Sequence, residues 1–428
     1  MESLVIQGGN RLKGQVRISG AKNAALPILA ATLLCGEGIE IKNLPVLEDI
    51  KIFISLLREL GAEVQTAKGS DSLSPVHVDS SSISSCEAPH QLVRQMRASV
   101  LVLGPLMARM GRARVSLPGG CAIGARPIDL HLKGLELMGA SYRVSEGYVE
   151  VKARHLTGGH IYLDFPSVTG TENLMMAAVL ARGVTVIENA AREPEISDLA
   201  HMLNSMGAKI SGAGSDTLRI EGVNELSGTS WSIIPDRIEA GTYIMAAGAA
   251  GGDIEVIGAV AEHLDSAISK LRAAGLKIEC SGHAINVRAQ GRLKSVDIKT
   301  QPYPGFPTDL QAQFMVLMAR AGGLSVITEN IFENRFMHVA ELQRLGAEIK
   351  VEGRSAIIRG VKRFTGAPVA ATDLRASACL VLAGLAARGT TEVTEIHHLD
   401  RGYENMEKKL RQLGADIVRV RREGDSAQ

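Results

Sequence analysis

LLRELGAEV (56–64), LELMGASYRV (135–144), MLNSMGAKI (202–210), KLRAAGLKI (270–278), ELQRLGAEI (341–349) and KLRQLGADI (409–417) are six copies of one phrase. Their glycines, Gly61, Gly139, Gly207, Gly275, Gly346 and Gly414, follow one another at intervals of 78, 68, 68, 71 and 68 residues. Each copy reads the same way. Large apolar residues at helical spacing mark an amphipathic helix. The glycine just past its end suits a left-handed residue, where a Cβ is disfavoured. The alternation that follows, as in Ala-Asp-Ile-Val-Arg-Val at 415–420, begins a strand.

A second phrase recurs out of step with the first: an Ala-rich helix, a glycine break, then a β-rich run. NAALPILAATLLCGEGIEIKNL (23–44), IEAGTYIMAAGAAGGDIEVIGAV (238–260) and RASACLVLAGLAARGTTEVTEI (375–396) are three of its six copies. These helices are apolar on nearly every side, so they are expected to be buried, leaving the phrase that ends in glycine as the exposed helix of each unit. Six α/β units of about 70 residues, in two groups of three, therefore follow from the chain. The rival is a single solenoid of six repeats. The length of the unit and its buried helix argue against it.

Composition agrees with two domains. There are 428 residues, and 45% apolar residues suffice for real cores, although only 3% are aromatic. With 47 basic and 46 acidic residues, nothing in the charge balance asks for nucleic acid or an anionic membrane as partner. Five scattered cysteines (Cys35, Cys86, Cys121, Cys280, Cys379) are not a disulfide framework, and a reducing cytoplasm is expected. MESLVIQGGNRLKG (1–14) has no basic segment followed by an apolar one, and the apolar stretches are broken before about 18 residues, so neither a secretory leader nor a membrane span is expected. Residues 66–90 read as strands joined by polar loops, and the tail RREGDSAQ as frayed.

The buried helices open on polar residues: Lys22 and Asn23; Arg97; Thr169, Thr171 and Glu172; Asp236, Arg237 and Glu239; Thr308 and Asp309; Asp373 and Arg375. Thr, Asn and Asp cap such ends, which is the reading for Thr308 and Asp373. Lys and Arg oppose the positive end of the helix dipole, so a cation placed there suggests that an anion binds too. The loop PGGCAIGARPIDLH (118–131) puts Cys121 among three glycines and near Arg126, the setting in which a thiol exchanges protons. Cys35, Cys379 and Cys280 read as packing residues, and Cys86 has no basic neighbour in sequence. No zinc-spaced cluster, Walker A or GxSxG motif is present, and no metal or cofactor is expected. His397-His398 reads as a loop before the last helix rather than a metal site.

Taken in order, SGAKNAALP (19–27), MRAS (96–99), PGGCAIGARP (118–127), AREPEI (191–196), PYPGFPTD (302–309), ENRFMH (333–338), TDLRASA (372–378) and DRGYE (400–404) resemble the enolpyruvyl transferase family, in the branch that acts on UDP-N-acetylglucosamine. The resemblance runs from about residue 4 to 420. It implies two similar domains, each an inside-out α/β barrel of three βαβαββ-like repeats: residues 22–234, carrying the Cys121 loop, and residues 1–21 plus 235–428, with the active site in the cleft between them. The implied reaction transfers the enolpyruvyl group of phosphoenolpyruvate to the 3-hydroxyl of UDP-N-acetylglucosamine, releasing phosphate. This is the first committed step of peptidoglycan synthesis.

Roles follow position by position from the resemblance. Lys22, Arg126 and Arg401 match the cations that hold phosphoenolpyruvate, and Asn23 a ligand contact beside them. Arg97 matches a UDP-sugar residue, and Arg126, Pro127, Ile128, Asp129 and Leu130 the segment that touches the nucleotide. Ser167, Val168, Thr169 and Gly170 match a second nucleotide segment, although SVTGTEN departs from the SVGAT of some members. Asp309 matches the carboxylate at the sugar hydroxyl, Ile331 a nearby backbone contact, and Asp373 and Arg375 residues at the phosphate end. Cys121 matches a proton donor that also forms a covalent phospholactoyl thioether and is alkylated by the epoxide antibiotic fosfomycin. A 5-enolpyruvylshikimate-3-phosphate synthase-like transferase and a non-catalytic UDP-sugar-binding paralogue are the alternatives. The cysteine loop and DRGYE argue against the first, and the full complement of reactive side chains argues against the second.

Overall fold

A computed structural model of the chain describes residues 2–66, 74–117 and 128–421. Each of the six glycines that end the repeated phrase has positive φ, from 90° at Gly139 and Gly414 to 105° at Gly207 and Gly275. Around each, the glycine N–H donates to the carbonyl three residues back, and the next N–H to the carbonyl five residues back, as in Gly61 to Arg58 (3.0 Å) and Ala62 to Leu57 (3.0 Å). This is the complete Schellman closure, which satisfies the last carbonyls of the helix and turns the chain into a strand.

The structure adds a second clamp to this turn. In five repeats the side chain three residues before the glycine donates to the carbonyl three residues after it. Arg58 bonds Val64, Asn204 bonds Ile210, Arg272 bonds Ile278, Gln343 bonds Ile349 and Arg411 bonds Ile417, at 2.8–3.2 Å. In the repeat of Gly139 that position holds Glu136, a carboxylate with no proton to give.

The described strands form six four-stranded sheets of one pattern, a parallel pair then two antiparallel neighbours, and a short parallel pair, Phe364–Thr365 with Ala387–Arg388. In chain order one repeat runs His160–Tyr162, helix Val168–Ala178, Val184–Glu188, helix Pro194–Ser205, Lys209–Ser211 and Thr217–Glu221, a βαβαββ unit. Three sheets borrow a strand from a distant part of the chain. Leu12–Arg17 lies parallel to Gly252–Ile257, and Ser230–Ser232 parallel to Ile39–Lys42. Glu2–Gln7 is antiparallel to both Thr390–Thr394 and Asp416–Arg421.

Two compact units result. One comprises 2–19 and 235–421, and the other the described residues of 20–234. Each has a separate apolar core and three four-stranded sheets. In the first, helices Arg237–Ala250, Gln311–Met318 and Leu374–Ala386 pack against one another and against the sheets. In the second, Lys22–Ala31, Leu103–Met110 and Val168–Ala178 take the central position. Side chains on all faces of these helices are buried, as their all-round apolar sequences require.

Some sequence expectations need correction. Thr308 does not cap the fifth buried helix; its hydroxyl donates to Glu329 Oε2 at 2.8 Å, whereas Asp373 does cap the sixth. Cys280 is exposed although it shares a face with buried Ile278, because it stands near the end of strand Lys277–Ser281, where the Arg272 side chain (Nη2 3.7 Å from its sulfur) reaches it. His397–Asp400 is a helical turn rather than a loop. Residues 67–73, the Cys121 loop from 118 to 127, and 422–428 of the tail lie outside the described residues.

The gap in the clamp yields a test. Glu136→Gln supplies the missing donor, for the carbonyl of Tyr142 at the position matching Val64 and Ile349. It is expected to stabilise the chain by about 0.5–1 kcal/mol in denaturant unfolding, and the reverse exchange Gln343→Glu to destabilise it by a similar amount. Unchanged midpoints in both variants would show that the clamp contributes nothing.

Candidate functional site

The polar openings of the buried helices are where the chemistry of each unit collects. In the unit of residues 2–19 and 235–421, Asp309 sits in the 3-10 turn Thr308–Leu310 that leads into Gln311–Met318. Two guanidiniums hold it: Arg335 Nη2 lies 2.8 Å from Oδ1, and Arg375 lies 3.0 Å (Nη2) and 3.2 Å (Nε) from Oδ2. Both arginines are nearly fully buried, while the Asp309 side chain keeps 26% of its surface open. A carboxylate so placed faces outward with its orientation fixed from behind.

Arg375 is itself fixed from below. Its guanidinium stands 5.3 Å over the ring of Tyr403. The Tyr403 hydroxyl meets Thr242 Oγ1 (3.0 Å) and Gln313 Nε2 (3.0 Å), so one polar pin joins two of the three central helices and the DRGYE segment. Asp373 caps the third, accepting from the N–H groups of Arg375 and Ala376. Arg335 leads to a second support. Its Nη1 donates to Thr308 Oγ1 (3.1 Å), and Glu329 accepts from Thr300, Thr308 and the N–H groups of Ile331 and Phe332. The backbone of Ile331 is thus tied to the element that carries Asp309. Glu329 is 1% exposed and uses both oxygens, which compensates its burial. Arg401 ends the turn His397–Asp400. Burial lowers the pKa of His398, and the charges of His397 and Arg401 lower it further.

At the start of Arg237–Ala250, Asp236 caps Ile238 and Glu239. Glu239 bonds Lys409 Nζ (2.6 Å) and the N–H of Ser19 (2.7 Å); burial still raises its pKa. Arg237 lies 5.8 Å over the ring of Tyr303.

In the other unit, Lys22 opens its helix beside Asn23, and Lys22 Nζ pairs with Asp49 at 3.0 Å. Arg97 begins the turn Arg97–Val102. Asp129 and Leu130 begin the helix Asp129–Leu137, with Ile128 before it. Ser167 caps Val168–Ala178 by accepting from the N–H of Gly170, with Val168 and Thr169 in the first turn. Thr171 serves inside, its hydroxyl accepting from the N–H of Ala191. Cys121, Arg126 and Pro127 belong to the residues that are not described.

The inference that a cation at a helix start announces an anionic ligand needs amendment. Part of the countercharge is the protein's own: Asp49 answers Lys22, and Asp309 answers Arg375. Neither Asp49 nor the pair Glu329 and Arg335 stood out by residue type in sequence. Arg335 lay inside the motif ENRFMH, while Glu329 had no local signal, because its partners come from three separate segments.

Among the described residues no group of three His, Cys, Asp or Glu is arranged to hold a metal, and no helix is long and apolar enough to cross a membrane.

The acidic residues in and around AREPEI carry a pH signature. Burial, then the charges of Glu195 and Glu193, push the Glu172 carboxyl well above the usual range. Asp198 accepts from Trp231 Nε1 (3.0 Å) and the N–H of Ile234 (3.3 Å), yet burial pushes it up to about 6. An unfolded aspartate titrates near about 4. The folded chain therefore holds more protons here between about pH 4 and 6, and the stability contributed by the protonated form is lost as pH rises through that window. Asp198→Asn should abolish this dependence. The stability of the variant relative to the parent should grow by roughly 2–3 kcal/mol between pH 4 and 7 in urea unfolding. A difference that stays flat with pH would place Asp198 at an ordinary pKa.

Comparison with known proteins completes the description. Residues 6–410 match the model of the EPSP synthase (3-phosphoshikimate 1-carboxyvinyltransferase) family. The chain is 58% identical over 420 residues to a UDP-N-acetylglucosamine 1-carboxyvinyltransferase of Geotalea uraniireducens, covering 98% of this chain and all of that one. A protein of the same name from Geobacter metallireducens is 57% identical, with 98% and 100% covered. Among solved structures, the enolpyruvyl transferase NikO from Streptomyces tendae superposes with a TM-score of 0.89 at 28% identity, covering 98% of this chain and 99% of that one. An EPSP synthase from Acinetobacter baumannii shares the fold, at a TM-score of 0.76 and 18% identity over 98% and 100% of the chains.

Proposed function

This chain belongs to the EPSP synthase family of carboxyvinyl transferases, and we propose that it transfers the enolpyruvyl group of phosphoenolpyruvate to the 3-hydroxyl of UDP-N-acetylglucosamine, releasing phosphate. The observation that carries the acceptor is the gap in identity. Relatives bearing the UDP-N-acetylglucosamine name agree at 57–58% over nearly the whole chain, whereas the EPSP synthases of Acinetobacter baumannii agree at 17–18%.

The chemistry asks for three things, and the reading assigns a residue to each. Phosphoenolpyruvate must take a proton at C3 as C2 becomes electron-poor, and Cys121 is the donor. The sugar hydroxyl then attacks C2 and gives its proton to Asp309, whose carboxylate is oriented by Arg335 and Arg375 and partly open on its outer side. Phosphate departs from the same carbon as the proton added at C3 is lost. Lys22, Arg126 and Arg401 stabilise the charge that gathers on it. Arginine suits that task because its planar fork matches phosphate oxygens. Arg97, with Ile128, Asp129 and Leu130 after Arg126 and Pro127, and with Ser167, Val168, Thr169 and Gly170, holds the UDP-sugar, and Asn23 makes a ligand contact beside Lys22. Ile331 supports the sugar end, and Asp373 and Arg375 the phosphate end. The division of the chain into 22–234 and 1–21 plus 235–428 assigns residues of both domains to one reaction. No cofactor or metal enters these steps. The product is the first committed intermediate of peptidoglycan synthesis, which fits a cytoplasmic enzyme of cell-wall biogenesis and division and a target of fosfomycin.

Phosphate release from phosphoenolpyruvate is expected with UDP-N-acetylglucosamine and not with shikimate 3-phosphate; turnover with the latter would overturn the acceptor.

A carboxylic acid in place of the thiol still donates a proton to C3 but forms no stable thioether. Cys121→Asp is therefore expected to keep measurable turnover and to resist fosfomycin, while Cys121→Ala loses most activity. Equal inactivity of the two folded variants would remove the general-acid role and favour an obligatory covalent route.

A further inference from the structure

Two segments assigned above to the nucleotide, 128–130 and 167–170, begin two different helices, and one buried side chain joins them. His131, in the first turn of Asp129–Leu137, is 3% exposed. Its Nε2 lies 3.4 Å from Thr169 Oγ1, and its Nδ1 lies 3.0 Å from Asn173 Nδ2. Both partners are on Val168–Ala178.

The orientation of Asn173 fixes the tautomer. Its Oδ1 accepts the N–H of Gly104 (2.5 Å), so the other end of the amide is the NH2 group, which donates to Val100 O (2.8 Å) and to His131. Nδ1 of the ring is then the bare nitrogen, and Nε2 carries the proton that reaches Thr169. Burial lowers the pKa of His131 to about 4, so the ring is neutral at physiological pH; Asp129 is the one charge that opposes the shift.

Backbone packing shows how close the two helices are. A Cβ on Gly134 would meet Leu174 at 2.5 Å, and one on Gly170 would come within 4.0 Å of Leu130 Cβ. The helices therefore cross with their starts in contact, and the ring is the polar bridge across that contact.

We propose that His131 is a positioning residue for the UDP-sugar: bonded to Thr169 and Asn173, it sets the spacing between the segments 128–130 and 167–170 that hold the nucleotide. The inference rests on the UDP-N-acetylglucosamine reading, which supplies the ligand of those segments. A residue with only a packing role would support the whole unit alike. One that spaces two ligand-holding segments affects one substrate and spares the other.

His131→Phe keeps the ring volume and removes both nitrogens. Its KM for UDP-N-acetylglucosamine is expected to rise about 3–10-fold, the loss of one to two buried hydrogen bonds. The KM for phosphoenolpyruvate and kcat should stay within about twofold. His131→Asn keeps a partner for Asn173 and is too short for Thr169. It should weaken the UDP-sugar by a smaller factor, and it decides the matter if His131→Phe does not melt cooperatively. A folded variant that binds the UDP-sugar as the parent does, or that weakens both substrates equally, overturns the proposal. If the parent itself does not saturate with UDP-N-acetylglucosamine, the acceptor reading has failed instead. Amide exchange at 128–131 and 167–171 then decides the bridge on its own: faster exchange confined to both segments in His131→Phe upholds it, and unchanged exchange refutes it.

Discussion

A helix that is apolar on every side has no wet face on which to leave its unpaired groups. Three such helices lie at the heart of each unit, and their first N–H groups must be satisfied within the protein or by what it binds. The polar residues of this chain follow from that demand. Asp236, Asp373 and Ser167 cap three of the starts, Arg375 adds charge to the start that Asp373 caps, and Lys22 and Asp309 bring charge to two others. Because each of those charges is paired by a residue from elsewhere in its unit, the polar groups form a lattice of fixed orientation. Groups held in this way need little reorganisation when a ligand arrives.

The two units use the same device with different residues. In one, Thr242, Gln313 and Tyr403 bond to one another among the central helices, and Tyr403 lies beneath Arg375. In the other, Asn173 and His131 occupy the corresponding interior, bonded to Val100 and Gly104 of the neighbouring segment. Both pins are neutral. A charge at that depth would cost several kcal/mol, whereas a satisfied hydroxyl, amide or neutral imidazole is tolerated. The ionised groups lie at the helix ends, where Asp309 keeps partial exposure.

The repeat was legible because it is written in backbone terms. A glycine with positive φ leaves a mark at one position, and the six left-handed turns stand at the six glycines of the repeated phrase. The burial of the Ala-rich helices was legible for a similar reason, since all-round apolarity needs no partner to be recognised. What sequence could not supply was pairing. Thr308 looks like a cap by type and spacing, yet its hydroxyl serves Glu329, and nothing local to residue 329 announces this. Cys280 has the parity of a packing residue, sharing a face with Ile278, yet it is exposed near the end of its strand. Lys22 and Arg375 suggested ligands, and part of their countercharge comes from Asp49 and Asp309. For Thr308, Lys22 and Arg375 the missing information was a contact across tens of residues.

The strand Glu2–Gln7 lies between Thr390–Thr394 and Asp416–Arg421. A ribosome makes this strand long before its two neighbours. The unit of residues 20–234 has all its own strands once residue 232 has left the exit tunnel, so it is free to close while synthesis continues. The other unit has to keep an apolar β-segment unpaired until residues 390–421 emerge. The opening residues alternate, with Leu4 and Ile6 turned inward among Glu2, Val5 and Gln7, which makes a short and weakly sticky edge. The order in which the chain is made thus favours a nascent chain in which residues 20–234 fold before the strand Glu2–Gln7 meets its neighbours.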